Sequence, residues 1–169
     1  MLKAVGGKTC PYPPGIYDLK NLSIPYVPKN FPFTKGRIYC NVTLTEGGVT
    51  RTIGRGCIDV EMSYFDTERP VVDWYDKTAF RYFILISKRL NRQDPRHYVE
   101  VRIHTLFTMS NKFKLDFYFY QFLTNRYRPS FVEMHLPFCD MMQSDTIFGP
   151  TMLRAMGDKT CPYPPVSTI

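Results

Sequence analysis

A chain of 169 residues with 44% hydrophobic and 22% charged positions falls in the globular range, which excludes a disordered tail or a fibrous repeat. Its 13 Phe and 12 Tyr favour strands and ring-lined cavities over helices. The net charge of +7 draws the surface towards polyanions without selecting one, because Lys and Arg are spread along the chain.

In chain order, residues 10–36 carry Pro11, Pro13, Pro14, Pro25, Pro28 and Pro32, which exclude helix and central strand and leave an extended edge segment. Residues 37–44 and 50–64 are β-branched and alternating. They meet across Glu46-Gly47-Gly48, which reads as a hairpin. The pattern breaks over residues 66–70, and a strand is expected over 80–87. Residues 98–107 alternate, with Val99, Val101, Ile103 and Phe107 on one face and Glu100, Arg102 and His104 on the other. Residues 112–120 repeat the pattern with Phe113, Leu115, Phe117 and Phe119, joined to the previous run through Met109-Ser110-Asn111. Two such runs predict an antiparallel sheet with one wet face. Residues 138–156 are the one short helical stretch, interrupted at Gly149-Pro150. The fold class expected is all-β, an immunoglobulin-like β-sandwich.

Catalytic constellations are missing. There is no GxSxG, HExxH, phosphate-binding loop or GxGxxG, so no enzyme and no cofactor is expected. His104 falls on a polar strand face as a solvated residue. Glu133 and His135 share a face, but two groups are too few for a metal. Lysines interleave with rings over residues 112–120, the pattern of a base-stacking platform. Tyr118 and Tyr120 share the lysine face while the Phe residues turn inward, which favours core or cavity lining and no nucleic-acid partner. A basic aromatic module for polyanions or nucleic acid is the alternative.

The cysteines are Cys10, Cys40, Cys57, Cys139 and Cys161, without a CxxC pair. Sequons at Asn21 and Asn41 lean with them towards a secreted glycoprotein. No apolar run nears the ~20 residues of a membrane helix, and residues 1–14 lack the apolar core of a signal peptide. That gap has a candidate explanation. The opening MLKAVGGKTCPYPP recurs from Met152 as MLRAMGDKTCPYPP, identical at 11 of 14 positions. A repeat at nearly the full chain length implies tandem copies of a domain, entered partway through one copy and left partway through the next. CPYPP itself reads as a rigid turn anchored by a disulfide more readily than as a proline-rich ligand.

Two segments resemble one family in permuted order. Residues 10–63 hold a Cys-Pro opening, Gly15-x-Tyr17-x-Leu19, Pro25, Pro28, Gly36-Arg37-Ile38-Tyr39 and Gly56-Cys57-Ile58, and resemble the C-terminal half of ganglioside-activator-like proteins. Residues 80–166 hold Tyr127-Arg128-Pro129, Phe138-Cys139-Asp140 and Cys161-Pro162-Tyr163, and resemble the N-terminal half of related insect proteins that include the CheB chemosensory type. The resemblance implies a β-cup of the lipid-recognition kind, truncated or fused, with 1–66 from one copy and 67–169 from a second, assembling as one permuted domain. It further implies non-enzymatic binding of a lipid or other hydrophobic molecule outside the cell, with a role in chemosensation. Peripheral contact with an anionic membrane or a receptor is expected, without a transmembrane segment.

On this reading Val99, Val101, Ile103, Phe107, Phe113, Leu115, Phe117 and Phe119 line a ligand cavity. Pairing the two hairpin strands brings Cys40 near Cys57, either as a bridge or as two small buried thiols. A bond between Cys139 and Cys161 closes a much shorter loop than one from Cys139 to Cys10, an advantage of roughly 1 kcal/mol, and it keeps the order of the resembling family. Cys10 is then the odd thiol, with residues 1–8 loosely held.

Overall fold

Apolar residues at every second position, punctuated by Gly, Pro and Asn, make this chain a succession of strands. The computed structural model describes residues 10–22, 32–61, 66–94, 96–145 and 148–156. The strands are β1 (Gly15–Leu22), β2 (Lys35–Glu46), β3 (Val49–Glu61), β4 (Asp66–Tyr75), β5 (Phe80–Arg89), β6 (His97–Thr105), β7 (Phe113–Leu123) and β8 (Arg126–Pro137). Helices α1 (Phe138–Ser144) and α2 (Gly149–Met156) follow. The strands form two antiparallel sheets, one ordered β1-β6-β5 and the other β4-β3-β2-β7-β8. Together they are a β-sandwich.

The β2–β3 hairpin forms as its sequence implies. Gly47 and Gly48 take φ of 55° and 80°, the left-handed pair that a two-residue hairpin turn requires. Thr124 and Asn125 turn β7 into β8 with φ of 47° and 62°. The proline-rich opening yields β1, which is an edge strand as expected. The pattern break at residues 66–70 falls inside a strand. Asp66 begins β4, and the break is a bulge where Arg69 takes φ of 49° and the register with β3 shifts. Pro70 sits in that bulge on an edge strand, where no ladder hydrogen bond is needed from it. Both sheets draw strands from both sides of residue 66, since β1 pairs with β6 and β2 with β7.

Two expectations need correcting. The runs that became β6 and β7 are not neighbours in one sheet; β6 is central in the three-stranded sheet and β7 belongs to the five-stranded one. Each carries an apolar face, and placing them in opposite layers lets both faces look into the interior at once. The helical stretch is also two helices rather than one. Pro150 stands in the first turn of α2, where its missing N–H is of no consequence, so the Gly-Pro step starts a helix as well as breaking one.

The sandwich closes differently at its two edges. Along one, β4 stays paired with β3 and also packs on β5 and β6, where Ser87 Oγ donates to the Thr67 carbonyl at 2.7 Å. Along the other, α2 packs on β1 while α1 packs on β7 and β8. The interior has two buried clusters, a larger one around Val42, Ile53, Phe80, Met109 and Met141 and a smaller one of Phe33, Ile38, Val60 and Phe119.

The disulfide expectation is overturned. Cys139 is bonded to Cys10, with Cα atoms 5.6 Å apart and 129 positions between them in sequence. The physical reason is the residue two places on. Tyr12 exchanges backbone hydrogen bonds of 2.7 Å in both directions with Met109, and its buried ring meets Phe138 edge-on at 5.8 Å. That docking holds Cys10 beside the start of α1 and outweighs the loop-length advantage of a partner further along. Cys10-Pro11-Tyr12 is thus the anchored turn its composition suggested. Cys161, the second CPYPP and residues 1–8 lie outside the described residues.

Candidate functional site: an apolar cavity between the sheets

Between the two sheets lies a cavity of about 240 Å³ whose walls are almost wholly apolar. One wall is β6, β5 and β1, through Val101, Phe83 and Leu19; the other is β2, β3 and β7, through Val42, Ile58 and Phe117. Phe138, Met141, Phe148 and Met152 of the helical segment close it along the β1–β8 edge. Several of these inward side chains, Phe83, Leu85, Val99, Val101, Leu115 and Phe117, are only half-buried. They face into the sandwich yet keep accessible surface, as side chains do when they border a void instead of a packed neighbour.

Six of the eight residues expected from sequence alternation line this space: Val99, Val101, Ile103, Phe113, Leu115 and Phe117. Two do not. Phe107 lies beyond the end of β6, where its ring packs against Phe80 at 5.5 Å and Phe113 at 5.3 Å as part of the core. Phe119 is paired with Ile38 and buried in the smaller cluster with Phe33. The contributions of β1, β2, β3, β5 and the helices were not among the expected residues. The alternation of Phe83 and Leu85 was a readable signal, whereas the helices' role was not. Phe148 stacks on Phe117 with centroids 4.9 Å apart and planes 10° from parallel, a contact across 31 residues of sequence.

Cys40 and Cys57 are both free. The bridge fails on register: Cys57 stands opposite Tyr39, and Cys40 opposite Gly56. A one-residue offset puts the two Cβ atoms on opposite faces of the sheet. Cys40 points inward and lines the cavity, where burial, helped by the charge of Asp116, pushes its thiol up to about 12. Burial also raises Cys57, opposed in part by the nearby Arg37.

The outer face of the five-stranded sheet carries the rings that a polyanion reading would use. Tyr39 and Tyr120 meet edge-on at 4.9 Å, and Arg37 lies over Tyr127 at 4.4 Å. Arg37 is already held by Asp59 through bonds of 2.6 and 3.2 Å, which raises its pKa further. These groups are engaged with one another. Asn41 sits half-buried on the same face between Arg55 and Asp116, whereas Asn21 is exposed at the end of β1. His104 rests against Tyr82 at 5.7 Å on the outer face of the other sheet.

His135 bonds Asp116 Oδ1 through Nδ1 at 2.7 Å, and Glu133 Oε1 stands 3.6 Å from Nε2. The Asp116 hydrogen bond, with both carboxylate charges, raises the histidine above its usual 6.5. Its stabilising contribution is therefore full below pH 6.5 and fades as pH rises through the elevated folded value. The side chain is 51% exposed, so the effect on stability is small. An NMR titration is expected to give a midpoint above 6.5 that falls towards it in Asp116→Asn; an unchanged midpoint would remove Asp116 as the cause.

Among the described residues no helix is long and apolar enough to cross a membrane. Comparison with known proteins finds no matching family model, no matching curated protein and no matching solved structure.

Proposed function

We propose that the protein is a non-enzymatic carrier of a lipid or another hydrophobic small molecule, held in the cavity between its sheets. The observation that carries this reading is the apolar space bordered by half-buried aliphatic and aromatic side chains. Such an interior is poorly solvated when empty and gains by taking up hydrocarbon. Burial of about ten methylenes at about 0.8 kcal/mol each yields about 8 kcal/mol, the magnitude of micromolar affinity. Cys40, with its thiol held protonated, behaves as an apolar wall residue in such a site.

The resemblance to ganglioside-activator-like and insect chemosensory proteins fits the same reading, with the halves of two copies in permuted order forming one cup. The disulfide and the sequon at the exposed Asn21 favour a secreted setting. The net charge of +7 suits collection or delivery of ligand at an anionic membrane or an acidic receptor.

The test is a titration of the full chain with a fluorescent fatty acid. Saturable one-to-one binding in the micromolar range is expected, and Phe117→Asp, which puts a carboxylate in the cavity wall opposite Phe148, should abolish it. Binding unchanged in a folded Phe117→Asp protein would place the ligand elsewhere.

A further inference from the structure

We propose that Asp66, Glu68 and His97 form a binding site for one divalent transition-metal ion of the zinc class. The fold brings them together from the starts of β4 and β6, about thirty positions apart in sequence, so no local motif announces them. One ligand atom from each lies within 4.8 Å of the other two. His97 Nδ1 is 3.1 Å from Asp66 Oδ2 and 3.7 Å from Glu68 Oε1. Ligand atoms about 2.0–2.2 Å from a tetrahedral ion stand roughly 3.3–3.5 Å apart, so these separations bracket what a shared ion needs.

The carboxylate of Asp66 is fixed in place. Its Oδ1 accepts the backbone N–H of His97 at 2.5 Å and that of Thr67 at 3.0 Å, and both carboxylate oxygens lie 3.1–3.2 Å from the imidazole Nδ1. Its side chain is 10% exposed, while that of Glu68 is 49% exposed and gives access from solvent. Charge is the second, separate argument. In a chain of net +7, neither carboxylate forms an ion pair with a Lys or Arg among the described residues; the side chain that faces both is the imidazole of His97. A largely buried carboxylate beside a second one calls for a compensating cation. One imidazole with two carboxylates suits zinc, cobalt and manganese, and three protein ligands leave a coordination position for an external group. The ion would tie β4 to β6 where Thr67 lines the cavity. The site is independent of whatever the cavity holds.

The experiment is a titration of tag-free, chelator-stripped full-length protein with cobalt(II), read by visible absorption, followed by displacement with zinc. One equivalent is expected, accompanied by a rise in melting temperature with zinc. Glu68→Gln, at a half-exposed position that does not threaten folding, should weaken binding about tenfold or more and remove the thermal shift. His97→Ala should abolish it. His135→Ala, which removes the histidine beside Asp116 and Glu133, should leave it unchanged. Absence of stoichiometric binding to the wild-type chain would overturn the proposal. So would binding that survives Glu68→Gln and His97→Ala but disappears in His135→Ala.

Discussion

Replacing Cys10 by Ser is expected to lower the unfolding free energy by about 3–5 kcal/mol, a large part of a small domain's stability. The bond to Cys139 spans 129 positions, and loop-closure entropy at that length comes to about 5 kcal/mol before losses to residual structure in the unfolded chain. The N-terminal turn has other attachments, the two Tyr12–Met109 hydrogen bonds and the Tyr12–Phe138 ring contact, so it should stay near its place in the variant. Stability is then lost chiefly through the freed unfolded chain, and the denaturant m-value should rise with it. Cys139→Ser should give the same loss, and the double variant no more than either single one, because one bond is removed in all three. Urea denaturation measures all three. A loss under about 1 kcal/mol would mean that the bond contributes little in solution.

Gly36→Ala should be nearly as damaging, by about 3 kcal/mol. A Cβ at Gly36 would run into the backbone carbonyl of Tyr120 and the ring of Phe33. The first obstacle is the neighbouring strand β7, whose carbonyl cannot turn aside without breaking the β2–β7 ladder at Gly36–Gln121. The second belongs to the smaller core cluster. Gly54→Ala is the matched control, because there the added methyl meets Val42 and Phe83 at 3.5–3.6 Å, ordinary contact distances. Melting curves should place Gly54→Ala near the wild type and Gly36→Ala well below it. Equal effects would show that backbone propensity, and not crowding by β7, governs both positions.

Where side-chain alternation was uninterrupted, the sequence was readable. Val99, Val101 and Ile103 announced β6, and Phe113, Leu115 and Phe117 announced β7, together with their inward faces and most of one cavity wall. Their sheet membership was not readable. A short link such as Met109-Ser110-Asn111 serves a hairpin or a crossing between layers equally well, and local periodicity is the same for both. β4 was hidden because Arg69 and Pro70 break the alternation at a bulge. β8 is marked only by the weak pairing of Glu133 with His135, since Pro129 and a register shift opposite Tyr118 and Tyr120 interrupt it. Loop entropy, which favours Cys161, is calculable from sequence, whereas the docking of Tyr12 on Met109 that sets the Cys10–Cys139 bond is not. The hairpin turn keeps the expected pairing of Glu46 with Val49, and the bridge between Cys40 and Cys57 fails because a bulge at Ile53 shifts the register by one residue beyond Thr43, which the alternation does not announce. Phe148, Met152 and the triad of Asp66, Glu68 and His97 depend on contacts between distant segments, which carry no local signature.

The central claim is that the space between the sheets receives hydrocarbon, and photo-crosslinking tests it most directly. The full chain would be loaded with a fatty acid bearing a diazirine near its methyl end, irradiated, digested and mapped by mass spectrometry. Labels are expected on Val101, Phe117 or Phe148, whose side chains border the cavity, and should be lost when unlabelled fatty acid is in excess. Labels assigned by fragmentation to outward-facing residues alone, such as Tyr39, Tyr127, Ile84 and Ile86, would contradict it.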